Sequence, residues 1–194
     1  MSDTYYVKTF GGLEITNDNV TVNIVELFGK QLVNLLQVLL FHSEKPVQKD
    51  ELIDILWPES KNPSSALKFS IFRLRAELNE IEFFKDKEVI VTTRKGYILN
   101  PNLDWNIDFV ELEKACNQIN DGSELLDEKE FKTARKIFRL YQGRFYASPS
   151  QLHWILQKQE IFRQMYVKTM MRTSCYLYTQ KRYDEMMLMN YQAF

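Results

Sequence analysis

The sequence predicts an α+β domain followed by an all-α one. Residues 1–22 break into short aromatic and β-branched runs punctuated by Gly and Asn. Three stretches of helical periodicity then fill residues 32–79, and a two-armed β pattern closes the set by Leu99. From Phe109 onward the pattern is helical, with no glycine after Gly143. The first domain is therefore placed at residues 1–102 and the second at 106–194, with Asn100-Pro101-Asn102 as a linker.

In chain order, Tyr5–Phe10 reads as a strand, Gly11-Gly12 interrupts it, and Leu13–Thr16 alternates. Asn17-Asp18-Asn19 is a turn and Val20–Val22 follows, so a small antiparallel sheet is expected. Leu32, Leu35, Leu36, Leu39 and Leu40 recur at helical spacing, and Pro46 lies beyond the end of that helix. A second helix covers about Gln48 to Trp57, stopped by Pro58. A third opens at Asn62-Pro63, a side-chain cap with proline at the first helical position, and carries Leu67, Ile71, Leu74 and Leu78 inward. Glu88–Thr92 and Tyr97–Leu99 form a hairpin whose tip is Arg94-Lys95-Gly96. In the second domain, helices are expected over Phe109–Asn120, Glu128–Gln142, Gln151–Tyr178 (divided) and Tyr183–Phe194, with breaks at Asp121-Gly122-Ser123 and Gln180-Lys181-Arg182.

A sheet, three helices and a hairpin with a basic tip are the order of a winged helix-turn-helix. Its third helix is thin enough to enter a DNA major groove, and its hairpin can reach the neighbouring backbone or minor groove. Opposite the buried stripe of that helix stand Ser65, Phe69, Phe72, Arg73 and Ala76, with Lys68 and Arg75 on one flank. The candidate DNA-binding residues are thus Ser65, Lys68, Phe69, Phe72, Arg73, Arg75, Arg94 and Lys95. Two readings stand for Phe69 and Phe72: contact with thymine methyls and sugars, or packing against the second domain or a second copy. Two also stand for Arg75: a phosphate contact, or a brace to the hairpin or to nearby glutamates.

The stretches Lys49–Pro58, Ala66-Leu67 with Phe72–Leu78, and Thr92–Asn100 resemble the OmpR-type winged helix of the SARP-type bacterial transcriptional regulators. In those proteins the domain is joined to a bacterial transcriptional activator domain, a bundle of tetratricopeptide-like repeats. Asp108–Glu113 is similar to that domain's opening helix, Leu140–Phe145 and His153-Trp154 to its middle, and Gln180–Met186 to the hinge of a repeat hairpin. The resemblance implies a DNA-binding transcriptional regulator, an activator by analogy, whose helical domain contacts RNA polymerase, another protein or an effector. By the same resemblance Phe194 falls inside the first repeat, so either the chain is a fragment or a partner covers the open surface.

Composition narrows the alternatives. The net charge is −1 and residues 1–105 are slightly acidic, yet Lys61, Lys68, Arg73 and Arg75 occupy a stretch without acids. The start of the chain is not a signal peptide, and the apolar run 32–41 is too short for a bilayer. Cys116 and Cys175 read as reduced, half-buried thiols, which points to the cytoplasm. His42 and His153 lie far apart, no phosphate-binding loop occurs, and no ligand spacing suits a metal, so neither cofactor nor catalysis is expected. The rival from another class is a protein-interaction adaptor whose winged helix no longer binds DNA. Apolar side chains on several sides of 164–194 point to a two-fold homodimer, against a compact monomer as the alternative.

Overall fold

The computed structural model describes residues 4–119, 125–147 and 152–192. The expected break at Asp121-Gly122-Ser123 lies outside the described residues. The chain divides into two compact units, one holding residues 4–7 and 13–106, the other residues 8–12, 107–147 and 153 onward.

The first unit contains β1 (Thr4–Lys8), β2 (Glu14–Asn17), β3 (Val20–Asn23), α1 (Ile24–Leu27), α2 (Lys30–Phe41), α3 (Lys49–Leu56), α4 (Pro63–Asn79), β4 (Ile90–Thr92), β5 (Tyr97–Leu99) and β6 (Asp104–Ile107), except that the last residues of β1 and β6, Lys8 and Ile107, count with the second unit. The sheet order is β3-β2-β1-β6. The β2–β3 hairpin pairs Glu14 with Asn23 and Asn17 with Val20, and the left-handed backbone of Asp18 (φ 50°) closes it. Past Asn100-Pro101-Asn102, Asp104-Trp105-Asn106-Ile107 is an edge strand, which was not expected. Thr4 bonds Asp104 across it, and the Tyr5 ring lies 5.3 Å from that of Trp105. The helix α1 was also not expected. It is short, started by the Asn23 side chain accepting from the Val25 amide.

All five leucines of the α2 stripe are buried, as are Leu67, Ile71, Leu74 and Leu78 of α4. Pro63 is the first residue of α4, as the sequence suggests, but the Asn62 side chain makes no capping bond. The hairpin β4–β5 pairs Ile90 with Leu99 and Thr92 with Tyr97. Two contacts dock it. Tyr97 exchanges two backbone bonds with Val47, 2.8 and 3.0 Å long, so the segment before α3 acts as a third strand. From α4, the Arg75 guanidinium donates to the Ile90 carbonyl at 2.8 and 3.1 Å and to Thr92 Oγ1 at 2.8 Å.

The second unit contains α5 (Asp108–Asn117), α6 (Glu128–Leu140), α7 (His153–Thr179) and α8 (Tyr183–Gln192), each packed on the next. Residues 8–12 pack into this helical unit. Phe10 bridges Phe145, the Gly11 amide donates to the Arg144 carbonyl, and the Tyr146 amide donates to the Thr9 carbonyl. The approach is close: a Cβ on Gly11 (φ +85°) would sit 2.6 Å from the Gln142 carbonyl oxygen. The Asp108 carboxylate fixes the crossing by accepting from the Thr9 and Phe10 amides and the Thr9 hydroxyl. Rings of Phe10, Phe109, Phe145 and Phe162 form the core beneath it, with neighbouring centroids 4.9–6.2 Å apart. A capping box between Asp127 and Glu130 starts α6. The expected division within 151–178 does not occur; α7 runs unbroken over 27 residues. No proline or glycine lies within it, so nothing in the chain interrupts the ladder. Lys181 (φ 57°) then reverses the chain into α8.

The docked hairpin yields a stability prediction. A Cβ on Gly96 (φ +152°) would lie 1.8 Å from the Val47 carbonyl oxygen. Gly96→Ala is expected to destabilise the first unit by about 3 kcal/mol, since the clash is with backbone and breaks the Val47 pairing. Arg75→Ala, which strips the Ile90 carbonyl of its donors, is expected to cost about 1–3 kcal/mol, with Arg75→Lys recovering only part because it has no fork. Urea unfolding measures both, and stabilities equal to the parent chain would show that the hairpin is not held as described.

Candidate nucleic-acid interface

The outer face of α4 follows from its inner one. With Leu67, Ser70, Ile71, Leu74 and Leu78 buried, helical geometry leaves Ser65, Lys68, Phe69, Phe72, Arg73 and Ala76 exposed. Phe69 and Phe72 are 62% and 70% exposed, unusual for rings of that size. Arg73 lies 3.1 Å from Glu77 one turn on, in an exposed pair that a competing phosphate can open. Lys68 has no ion-pair partner among the described residues.

Sequence reasoning left two roles open for Arg75, and the geometry gives it the bracing one. Its guanidinium is half-buried and spent on β4, so it holds the hairpin to the helix. The tip itself is a tight turn. The Thr93 amide donates to the Gly96 carbonyl, and Thr93 Oγ1 accepts from the amides of Lys95 and Gly96. With the backbone thus closed on itself, Arg94 and Lys95 point out and have no ion-pair partner among the described residues.

The structure thus joins α4 and the hairpin into one piece through Arg75, while Lys68 with Arg73 and Arg94 with Lys95 remain two separate points of positive charge. Thr93 and the Val47 segment, which shape the tip, were not among the sequence candidates. The Val-Gln-Lys run before α3 gave no strand signal beyond one β-branched residue. Asp50, Glu51 and Asp54 of α3 are exposed, an acidic surface that opposes a nucleic acid.

Such a surface offers positive charge, hydroxyl donors and exposed aromatic edges, the groups that meet phosphates and bases. Among the described residues no group of three His, Cys, Asp or Glu could hold a metal ion. Both cysteines are free. Cys175 is exposed rather than half-buried, and burial pushes the Cys116 thiol up to about 11, protonated at neutral pH. No described helix is long and apolar enough to cross a membrane.

Residues 25–99 match the family model described as "Transcriptional regulatory protein, C terminal". Comparison with curated proteins finds no sequence match. Among solved structures, the chain is similar to Mycobacterium tuberculosis EmbR, solved in complex with a low-affinity phosphopeptide. The TM-score is 0.60 at 17% identity over 89% of this chain and 44% of that one. It also aligns with the DNA-binding domain of E. coli CadC at 24% identity, over 51% of this chain and 92% of that one, with a TM-score of 0.38. The chain spans less than half the length of EmbR. Residues 25–99 thus match that family model within a winged-helix fold, and a helical region follows it.

Proposed function

We propose that this chain is a cytoplasmic, non-enzymatic regulator of transcription that binds double-stranded DNA, with α4 in the major groove and the β4–β5 tip on the flanking backbone. The observation that carries the reading is the unpaired Lys68, Arg94 and Lys95 on a helix and hairpin clamped together by Arg75. Phosphate contacts come from Lys68, Arg73, Arg94 and Lys95, and Arg75 acts by holding the hairpin. Ser65, Phe69 and Phe72 face the bases, where the rings meet thymine methyls. Few cations on an acidic body make for modest affinity with a correspondingly shallow salt dependence.

The helical region, by its resemblance to a bacterial transcriptional activator domain with tetratricopeptide-like repeats, provides the protein contact, to RNA polymerase or another partner. An observation also favours self-association. Tyr183, Met187 and Tyr191 recur every four residues on α8 and are all exposed, Tyr191 at 86%. Pairing two copies through this stripe doubles a weak DNA contact.

Sequencing of genomic fragments retained by the chain at low salt tests DNA binding; an enriched site is expected, and none would favour an adaptor with a degenerate winged helix. At an enriched site, Arg94→Ala with Lys95→Ala is expected to weaken binding and lower the salt slope by about 2, one per lost phosphate contact. An unchanged slope would remove the hairpin from the interface. Light scattering at micromolar concentration is expected to give twice the single-chain mass, reverting to one chain in Met187→Asp with Tyr191→Asp. A concentration-independent monomer would refute the dimer.

A further inference from the structure

Within the second unit, α6, α7 and α8 enclose a groove of about 520 Å³, inside the range of small-molecule sites. Its lining has two chemistries. Phe138, Leu177, Leu188 and Met189 supply apolar walls, while Lys132, Arg135 and Arg139 bring three cations from α6 alone. Those three stand at positions i, i+3 and i+7, one side of the helix, and span about 10 Å along it. The single carboxylate on the lining, Glu185, is already answered by Arg182 at 2.6 Å. Lys132 and Arg139 have no ion-pair partner among the described residues. Three like charges on one helix edge repel each other, and of the three Arg135 alone has Glu185 near enough to interact with it.

The Phe131 ring is fixed at one end of the groove. Tyr176 stacks on it at 4.8 Å, and the Arg182 guanidinium sits 4.9 Å from its centroid. Tyr176 is held in turn by Glu128, at 2.5 Å. That wall is therefore set before any ligand arrives, which lowers the ordering cost of binding. The face is distinct from the Tyr183, Met187 and Tyr191 stripe, because Glu185, Leu188 and Met189 lie on the other side of α8.

We propose that this groove binds a small amphipathic anion, its apolar body against Phe138, Leu188 and Met189 and its carboxylate, sulfonate or phosphate head against Lys132, Arg135 and Arg139. The charge excess selects an anion, the apolar walls exclude inorganic ions, and the volume fits a molecule rather than a protein domain. The site is independent of DNA binding, so either reading can fail without the other.

The test uses a matched pair of fluorescent probes on the full chain: 1-anilinonaphthalene-8-sulfonate and its neutral counterpart N-phenyl-1-naphthylamine. The sulfonate is expected to bind more tightly than the neutral probe. Lys132→Gln, Arg135→Gln and Arg139→Gln combined should weaken the sulfonate about tenfold or more, equivalent to ~1.4 kcal/mol, and change the neutral probe less than about twofold. All three side chains are exposed, so the variant keeps its fold, which circular dichroism checks. Leu188→Ser, on the apolar wall, should weaken both probes. Sulfonate binding that ignores the three cations, or that falls in parallel with the neutral probe, would overturn the proposal. Displacement of the sulfonate by a Glu-rich amphipathic peptide at concentrations where dodecanoate has no effect would overturn it too, in favour of a protein helix.

Discussion

The approach of Gly96 to the Val47 carbonyl governs the first unit. Only a residue without Cβ fits there, and its fit lets Tyr97 exchange two backbone bonds with the segment before α3. The hairpin is thereby tied to α3 at one edge and, through Arg75, to α4 at the other. Three bonds from one guanidinium cross from α4 to β4. A wing so fixed presents Arg94 and Lys95 at a set place relative to α4, and a fixed geometry is what a groove-reading protein needs.

Electrostatics then set the character of the interface. Lys68, Arg73, Arg94 and Lys95 are few, and Glu77 occupies one of them. Acids on α3 oppose the same partner. The two exposed phenylalanines lie on the same outer face of α4, so under the proposed DNA reading discrimination would rest on methyl groups and shape more than on a donor and acceptor code. The proposed pairing through the α8 stripe would suit such a contact. The groove lies on the other face of α8, so a ligand bound there, as proposed, would act separately from the stripe.

Much of this was legible in the sequence, for reasons that differ by element. The leucine spacing of α2 and the Leu67–Leu78 stripe report burial directly, because helical period and core contact are the same constraint. Arg94-Lys95-Gly96 announced a tip by composition. Three features were hidden. The strand β6 carries the alternation Asp104-Trp105-Asn106-Ile107, but the Asn-Pro-Asn before it reads as linker; its pairing to β1 spans about a hundred residues and leaves no local trace. The commitment of residues 8–12 to the helical unit depends on Asp108 and Arg144, equally remote. The role of Arg75 could be named only as an alternative, since a cation on a helix flank reads alike whether it meets phosphate or a carbonyl. The continuity of α7 was missed for another reason: its polar and apolar residues follow no single stripe, because different stretches of it face different neighbours.

The central claim is that α4 and the β4–β5 tip form one surface for DNA. Backbone amide hydrogen exchange with and without a duplex carrying a retained genomic site tests it most directly. The account predicts added protection over residues 65–76 and 93–96, with the acidic face of α3 unchanged. Protection confined to the helical region, or absent from both α4 and the tip while the duplex is bound, would contradict it.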